Sequence, residues 1–186
     1  YADGPGILCE LVQNADDAGA TEVAFLVDET TYGTKSLLGG RMSDWQGPAL
    51  LAFNNSTFRP EDFQNIARIG QDSKVSRPAA VGRFGLGFNA VYNLTDVPSF
   101  VSGDYLVYFD PHACNLPGAN AAQPGLKISL ASGSLYAQFP DQFSPFELFG
   151  CSAEGKNFPG TLFRLPLRSE ACAKRSDIKK SAYVIS

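Results

Sequence analysis

ILCELVQNADDAGATEVAFLVDE, residues 7–29, carries a helix, a stop and a strand in that order. Ile7, Leu8, Leu11, Val12, Ala15 and Ala18 recur at helical spacing. They predict a helix over residues 4–18, with Pro5 in its first turn and Gly19 as its stop. Thr21 to Asp28 (TEVAFLVD) reads as the strand. A helix turns by about 100° per residue, so Glu10, Asn14 and Asp17, at i, i+4 and i+7, share one narrow stripe beside the apolar face. The stripe is acidic plus one amide, with no lysine or arginine along it. An ordinary solvated face has that composition, and so does a stripe that holds a metal ion through Asn14 and a water through Glu10.

Outward from this stretch, residues 29–47 read as loop, and Ala49 to Phe53 as a short buried strand. Arg59 to Ile69 predicts a helix, and a polar connector follows. In VGRFGLGFNAVYNL, residues 81–94, Gly82, Gly85 and Gly87 run straight into an apolar helix. Glycines let backbone N–H groups approach phosphate oxygens, and a helix N-terminus adds favourable partial charge. Gly85 to Ala90 also fits a dinucleotide fingerprint, but residues 76–80 are a poor upstream strand. A glycine turn that merely packs closely is the bland alternative. No Gly-Lys-Ser/Thr follows, which excludes a Walker A loop. Pro98 to Ser102 and Tyr105 to Phe109 predict a hairpin around Gly103-Asp104. Residues 111–124 read as loop, Leu126 to Leu130 as a strand, and Ser144 to Phe149 as a short helical turn. PGTLFRLPL, residues 159–167, is a late strand that opens with Thr161 directly after Gly160. The elements lack strict βαβ alternation, so an α+β sandwich is favoured over a doubly wound sheet.

At 186 residues, 44% hydrophobic and 18% charged, the chain suits a single domain with a real core. That core spans about residues 4–168, with 169–186 a trailing helix or tail. The opening at Tyr1 reads as that of a fragment of something longer. The net charge of −4 argues against a nucleic-acid surface, and no apolar run approaches the ~20 residues of a membrane span. Cys9, Cys114, Cys151 and Cys172 form no CxxC pair and read as reduced thiols of a cytoplasmic protein. The single histidine, His112, lies in a DPH turn, a poor place for a nucleophile's base.

Glu-x-x-x-Asn-x-x-Asp on the first helix, a G-x-x-G-x-G helix entry about 70 residues later and a late Gly-Thr strand together resemble the GHKL superfamily. ILCELVQNADDAGATEVAFLVDE, FQNIARIGQ, VGRFGLGFNAVY and PGTLFRLPL look like the N-terminal domain of the ninety-kilodalton heat-shock chaperones. GPALLAFNN and TDVPSFVSGDYLVYFDPH look specifically like the chaperone-like repeats of the sacsin type. The resemblance covers residues 4–167. It implies a Bergerat two-layer sandwich, with a mixed, mostly antiparallel sheet, helices on one face, and ATP or ADP held between them with magnesium. It implies Glu10 as the base that orients a water onto the γ-phosphate, Asn14 as the magnesium ligand and Asp17 as a pocket wall. Gly82, Gly85, Gly87 and Phe88 would wrap the triphosphate, and Thr161 would sit near the adenine. Other domains of a larger parent chain, client proteins and co-chaperones are the partners it implies.

Two places depart from the family pattern. The family's Asp-x-Gly-x-Gly, whose Asp accepts a hydrogen bond from the adenine amino group, is replaced by AFNNSTF, residues 52–58. Asn54 or Asn55 must stand in, and a neutral amide makes a bond roughly half as strong as a charged acceptor does. Ser56, Thr57 and Phe58 are expected to crowd the base. The lid is a short connector, QDSKVSRPAAV, which would exclude water poorly. These departures predict weak nucleotide binding with slow hydrolysis or none, or else a degenerate pocket on a protein-interaction module. The acidic balance disfavours a DNA-handling enzyme of the superfamily.

Overall fold

A computed structural model of the chain describes residues 5–63, 88–131, 133–151 and 157–183. The predicted α+β class holds. Six strands form one sheet: β1 Val23–Asp28, β2 Ala49–Asn54, β3 Ser99–Gly103, β4 Tyr105–Phe109, β5 Gly125–Ser129 and β6 Phe158–Pro166. Their order is β1-β2-β6-β3-β4-β5, and every pairing is antiparallel. The helices are α1 Pro5–Asp17, α2 Ser134–Gln138, α3 Pro140–Phe143 and α4 Glu170–Arg175. Short 3-10 turns cover Gly40–Trp45, Phe88–Asn93 and Ser144–Phe149.

Successive strand residues face opposite sides, and both sides here are apolar. Leu51, Val101, Leu106, Tyr108 and Leu162 face one way, beneath Met42, Trp45, Phe143 and Phe146. Leu50, Ala52, Phe100, Val107, Phe163 and Leu165 face the other, beneath Ile7 and Leu11 of α1 and Val91 and Leu94. The hairpin β3–β4 turns at Gly103, whose φ of +54° suits the glycine-first turn that matches strand twist.

Helix α1 ends as its sequence dictates. Gly19 takes φ +74°, its N–H donates to the Asp16 carbonyl, and the Ala20 N–H donates to the Ala15 carbonyl. This Schellman closure satisfies two orphan carbonyls and turns the chain into β1. The apolar face is narrower than its spacing suggests. Ile7, Leu11 and Ala15 are buried, whereas Leu8 and Val12 are 39% and 45% exposed. The buried row is the i, i+4, i+8 line that meets the sheet, and Leu8 and Val12 are turned away from it.

The helix expected to follow the glycine turn within residues 82–94 is, where described, a 3-10 turn, Phe88–Asn93. Its continuation is blocked by a side chain. The Tyr92 and Asn93 carbonyls accept from the Arg168 guanidinium at 2.7 and 3.0 Å instead of from later backbone N–H groups. Of the helix expected over residues 59–69, residues 60–63 are helical and the remainder lies outside the described residues. Helices α2 and α3 and the turn Gly40–Trp45 were not expected from the sequence, because pieces this short carry no readable period.

Asp141, in the first turn of α3, ties the loop before β2 to this region. Its carboxylate accepts from the Lys35 and Ser36 backbone N–H groups at 2.8 and 2.9 Å, and the Ser36 hydroxyl accepts from the Asp141 N–H. The Ser36 and Lys35 N–H bonds hold the Asp141 carboxyl below its ordinary 3.8. A depressed carboxylate contributes stability above its unfolded pKa and loses it as pH falls through the folded one. Asp141→Ala is therefore expected to lower the urea midpoint at pH 7, with the gap from the natural chain closing below about pH 3.8. A gap of constant size from pH 7 to pH 2 would contradict the assignment.

Candidate functional site

A cavity of about 180 Å³ opens where the C-terminal end of α1 meets the ends of β2 and β6. Asn14 and Asp17 line it from α1, Ala18 and Gly19 from the turn that follows, Asn54 from β2, and Thr161 and Phe163 from β6. The segment 56–62 closes the remaining side through Ser56, Thr57, Phe58, Arg59 and Asp62. The register explains the meeting. Asn54 lies opposite Thr161 on the β2–β6 ladder, so the two side chains share one face, the face that α1 covers.

The polar groups here are buried and unevenly satisfied. Asn14 is 8% exposed, and its Nδ2 is buried with no hydrogen-bond partner among the described residues. An unpaired buried amide donor costs about 1–3 kcal/mol, so the group calls for a partner, water or ligand, in the cavity. Asn54 is 7% exposed, and its Oδ1 accepts from the Ser56 backbone N–H at 3.0 Å. Thr161 is 1% exposed; its hydroxyl donates to the Ser56 carbonyl at 2.7 Å and lies 2.9 Å from the Ser102 hydroxyl. Ser102 in turn accepts from the Phe58 N–H and sits 2.9 Å from the Gly160 carbonyl. This chain of bonds fixes residues 56–58 against β3 and β6. Asp17 is exposed and accepts from the Gln13 amide at 3.1 Å.

Asn14, Asp17, Asn54 and Thr161, separated by up to 147 positions in sequence, are thus brought together (161 − 14 = 147). Glu10 lies one helical turn before Asn14, half-buried and outside the cavity lining. Asn55 faces away: its Oδ1 accepts from the Thr21 and Glu22 N–H groups, and its Nδ2 donates to the Thr21 hydroxyl, which locks the α1–β1 turn to the end of β2. The Phe88 ring packs among Phe109, Phe163 and Tyr92 at centroid distances of 5.1 to 6.5 Å, on the aromatic core and not on the cavity wall. Gly82, Gly85 and Gly87 lie outside the described residues.

Phe58 does not fill the cavity. Its ring stacks on Phe100 at 4.5 Å and leans against Phe63 and Phe163, which draws it into the floor. Arg59 and Asp62 were missed as lining residues. The Asp62 carboxylate accepts from the Arg59 backbone N–H at 2.8 Å, as at a capped helix start. The signal was present: Arg59-Pro60-Glu61-Asp62 opens a helix directly after the strand that ends at Asn54.

The Sacsin domain family model matches residues 1–185. Human sacsin is 44% identical over 189 residues, covering 100% of this chain and 4% of sacsin. Protein NO VEIN of Arabidopsis thaliana is 26% identical over 116 residues, covering 59% of this chain and 4% of that protein. The chain therefore spans a small part of the length of both relatives. On the family match over nearly its whole length and the identity to sacsin, the chain belongs to the Sacsin domain family.

Proposed function

We propose that this domain is a weak nucleotide-binding module of a larger sacsin-like cytoplasmic chaperone or co-chaperone, of GHKL type with a Bergerat fold. On the resemblance its ligand is ATP or ADP with magnesium, hydrolysed slowly or not at all by the domain alone. The carrying observation is the convergence of Asn14, Asp17, Asn54 and Thr161 on one cavity, with the Asn14 amide buried beside it and unpaired. Magnesium keeps most of its waters and takes one or two protein ligands plus substrate phosphates. The single amide oxygen of Asn14 suits that role. Bound there, the ion would neutralise phosphate charge. On this reading Glu10, a turn away on the same stripe, would orient a water, and Arg59, which lines the cavity, would supply a cation for an anionic ligand.

Asn14→Ala is the direct test. It removes the unpaired donor, so the fold is expected to hold, while saturable heat from titrating magnesium-ATP at several millimolar disappears. Unchanged affinity in a correctly folded variant would sink the pocket assignment.

A second reading, an interaction module with an unused pocket, is favoured by one observation. Val23, Phe25, Leu26 and Val27 of β1 are 39%, 39%, 40% and 53% exposed. Among the described residues β1 pairs with β2 on one edge only. An apolar edge strand without lysine or proline is a template for an extended peptide. Failure of every nucleotide to bind at several millimolar would favour this reading.

A further inference from the structure

We infer that β1 is a docking edge for an extended apolar segment with basic ends, which pairs antiparallel to it as an added strand. The inference rests on the second reading above and gives it a partner; it neither requires nor excludes a nucleotide. The Asn55 N–H donates to the Glu22 carbonyl, so Glu22 turns its backbone polar groups toward β2. Such groups alternate in direction along an antiparallel strand. Val23, Phe25 and Val27 therefore aim their N–H and C=O groups away from β2, where no strand pairs with them among the described residues. Their side chains lie opposite Asn54, Ala52 and Leu50, on the α1 side of the sheet. Natural edges are guarded by lysine, proline or a bulge, and VAFLVD holds neither lysine nor proline.

Charge decides the occupant. Residues 5–34 carry Glu10, Asp16, Asp17, Glu22, Asp28 and Glu29 and no lysine or arginine. Three of these carboxylates, Glu22, Asp28 and Glu29, bracket the apolar run of β1. A second copy of the chain fits badly. Two β1 strands joined antiparallel about a two-fold axis pair residues of the same face, and laying the run 23–27 against itself sets Phe25 opposite Phe25. That register puts Glu22 of each copy opposite Asp28 of the other, and like charges directly opposite destabilise a sheet. Sliding it by one pair instead sets Asp28 against Ala24 and Glu29 against Val23. A partner with lysine or arginine opposite Glu22 and Asp28 turns both repulsions into attractions. These two positions are six apart (28 − 22 = 6), so they share the face away from α1. Apolar residues opposite Val23, Phe25 and Val27 then cover the α1 side. Main-chain pairing supplies the affinity, and the alternation with basic ends supplies the specificity.

The test titrates the natural chain with the end-blocked, fluorescently labelled peptide Lys-Val-Thr-Val-Thr-Val-Lys. Polarisation gives the affinity, and amide hydrogen exchange followed by NMR gives the place. Two control peptides carry glutamate for both lysines, or proline for the central valine. Saturable binding of the basic peptide is expected, with about tenfold weaker binding of the acidic one and none of the proline one. Exchange should slow at Val23, Phe25 and Val27. Glu22→Lys, at an exposed side chain, should weaken the basic peptide and strengthen the acidic one. Val27→Lys, which guards the edge, should lose the basic peptide; if that variant does not fold, the exchange pattern of the natural chain decides. Equal binding of the basic and acidic peptides would overturn the inference and leave the open edge of the second reading standing. No binding of any peptide at millimolar concentration, or protection confined to other strands, would end both. A dimer of the chain alone in sedimentation equilibrium, with those three amides protected, would give the edge to a second copy and overturn the inference.

Discussion

Arg168→Ala is expected to destabilise the domain by about 3–5 kcal/mol, measured by urea or guanidinium unfolding at neutral pH. Arg168 has no exposed surface, yet it carries a full charge. Its Nε and Nη2 meet the Asp96 carboxylate at 2.6 and 2.5 Å, and its remaining donors cap the Tyr92 and Asn93 carbonyls. Removing it strands a carboxylate that is 7% exposed and leaves the carbonyls that close the turn Phe88–Asn93 without donors. The cost is that of an unpaired buried charge, not of a lost surface pair, which is worth about 0–1 kcal/mol. Set against a total of about 5–15 kcal/mol for a domain, the loss leaves a substantial unfolded fraction at body temperature. Arg168→Lys should recover only part of it, since an ammonium lacks the planar fork that reaches carboxylate and carbonyls together. The double variant Asp96→Leu/Arg168→Met should be more stable than Arg168→Ala, because no charge is stranded. A loss under about 1 kcal/mol in Arg168→Ala would mean that water reaches the pair.

The clamp also marks the limit of what the sequence discloses. Nothing around Arg168 announces a buried cation, since its partner Asp96 lies 72 positions earlier. Arg164 is similar: it sits within β6, 3% exposed, and donates to the Trp45 and Gly47 carbonyls. Burial lowers the Arg164 pKa, and nearby Tyr108, Tyr32 and Asp28 oppose that shift. Such residues are legible only once the sheet order is known. By contrast, α1, β1 and the hairpin β3–β4 were legible, because period and stop signals agree locally: Gly19 closes the helix and Gly103 makes the turn. The site was half legible. Helical geometry puts Glu10, Asn14 and Asp17 on one stripe, of which Asn14 and Asp17 line the cavity, but the choice between Asn54 and Asn55 needs strand phase. Counted by twos from Leu50 and Ala52, Asn54 falls on the α1 face and Asn55 falls past the strand end, where it caps the α1–β1 turn. The fate of Phe58 was illegible, because its place is decided by Phe100 and Phe163, on strands distant in sequence.

Gly160→Val is expected to damage stability and the cavity together, and the two effects can be separated. Gly160 lies in β6 just before Thr161, and a Cβ there would stand 2.5 Å from the Asn54 carbonyl oxygen and 2.8 Å from the Phe53 ring. The first of these is backbone in the neighbouring strand and cannot rotate away. Accommodation requires β2 and β6 to separate at the rung that carries Asn54 and Thr161. Overpacking of this kind costs about 1–3 kcal/mol. For a domain of this size each kcal/mol moves the thermal midpoint by about 2–4 °C, so a fall on the order of 3–10 °C is expected. Gly47→Ala is the control: nothing lies within 4 Å of its Cβ position, and its effect should stay within about 0.5 kcal/mol. The functional effect should exceed the structural one. The Thr161–Ser56 and Asn54–Ser56 bonds shape the wall at this rung, and displacing them should abolish whatever nucleotide binding the natural chain shows, at temperatures where the variant is still folded. A variant with a lowered midpoint and intact binding would place the ligand site away from the β2–β6 end, and the cavity would then be a packing defect. A variant with neither change would mean that the strands yield at this rung more readily than a backbone contact allows.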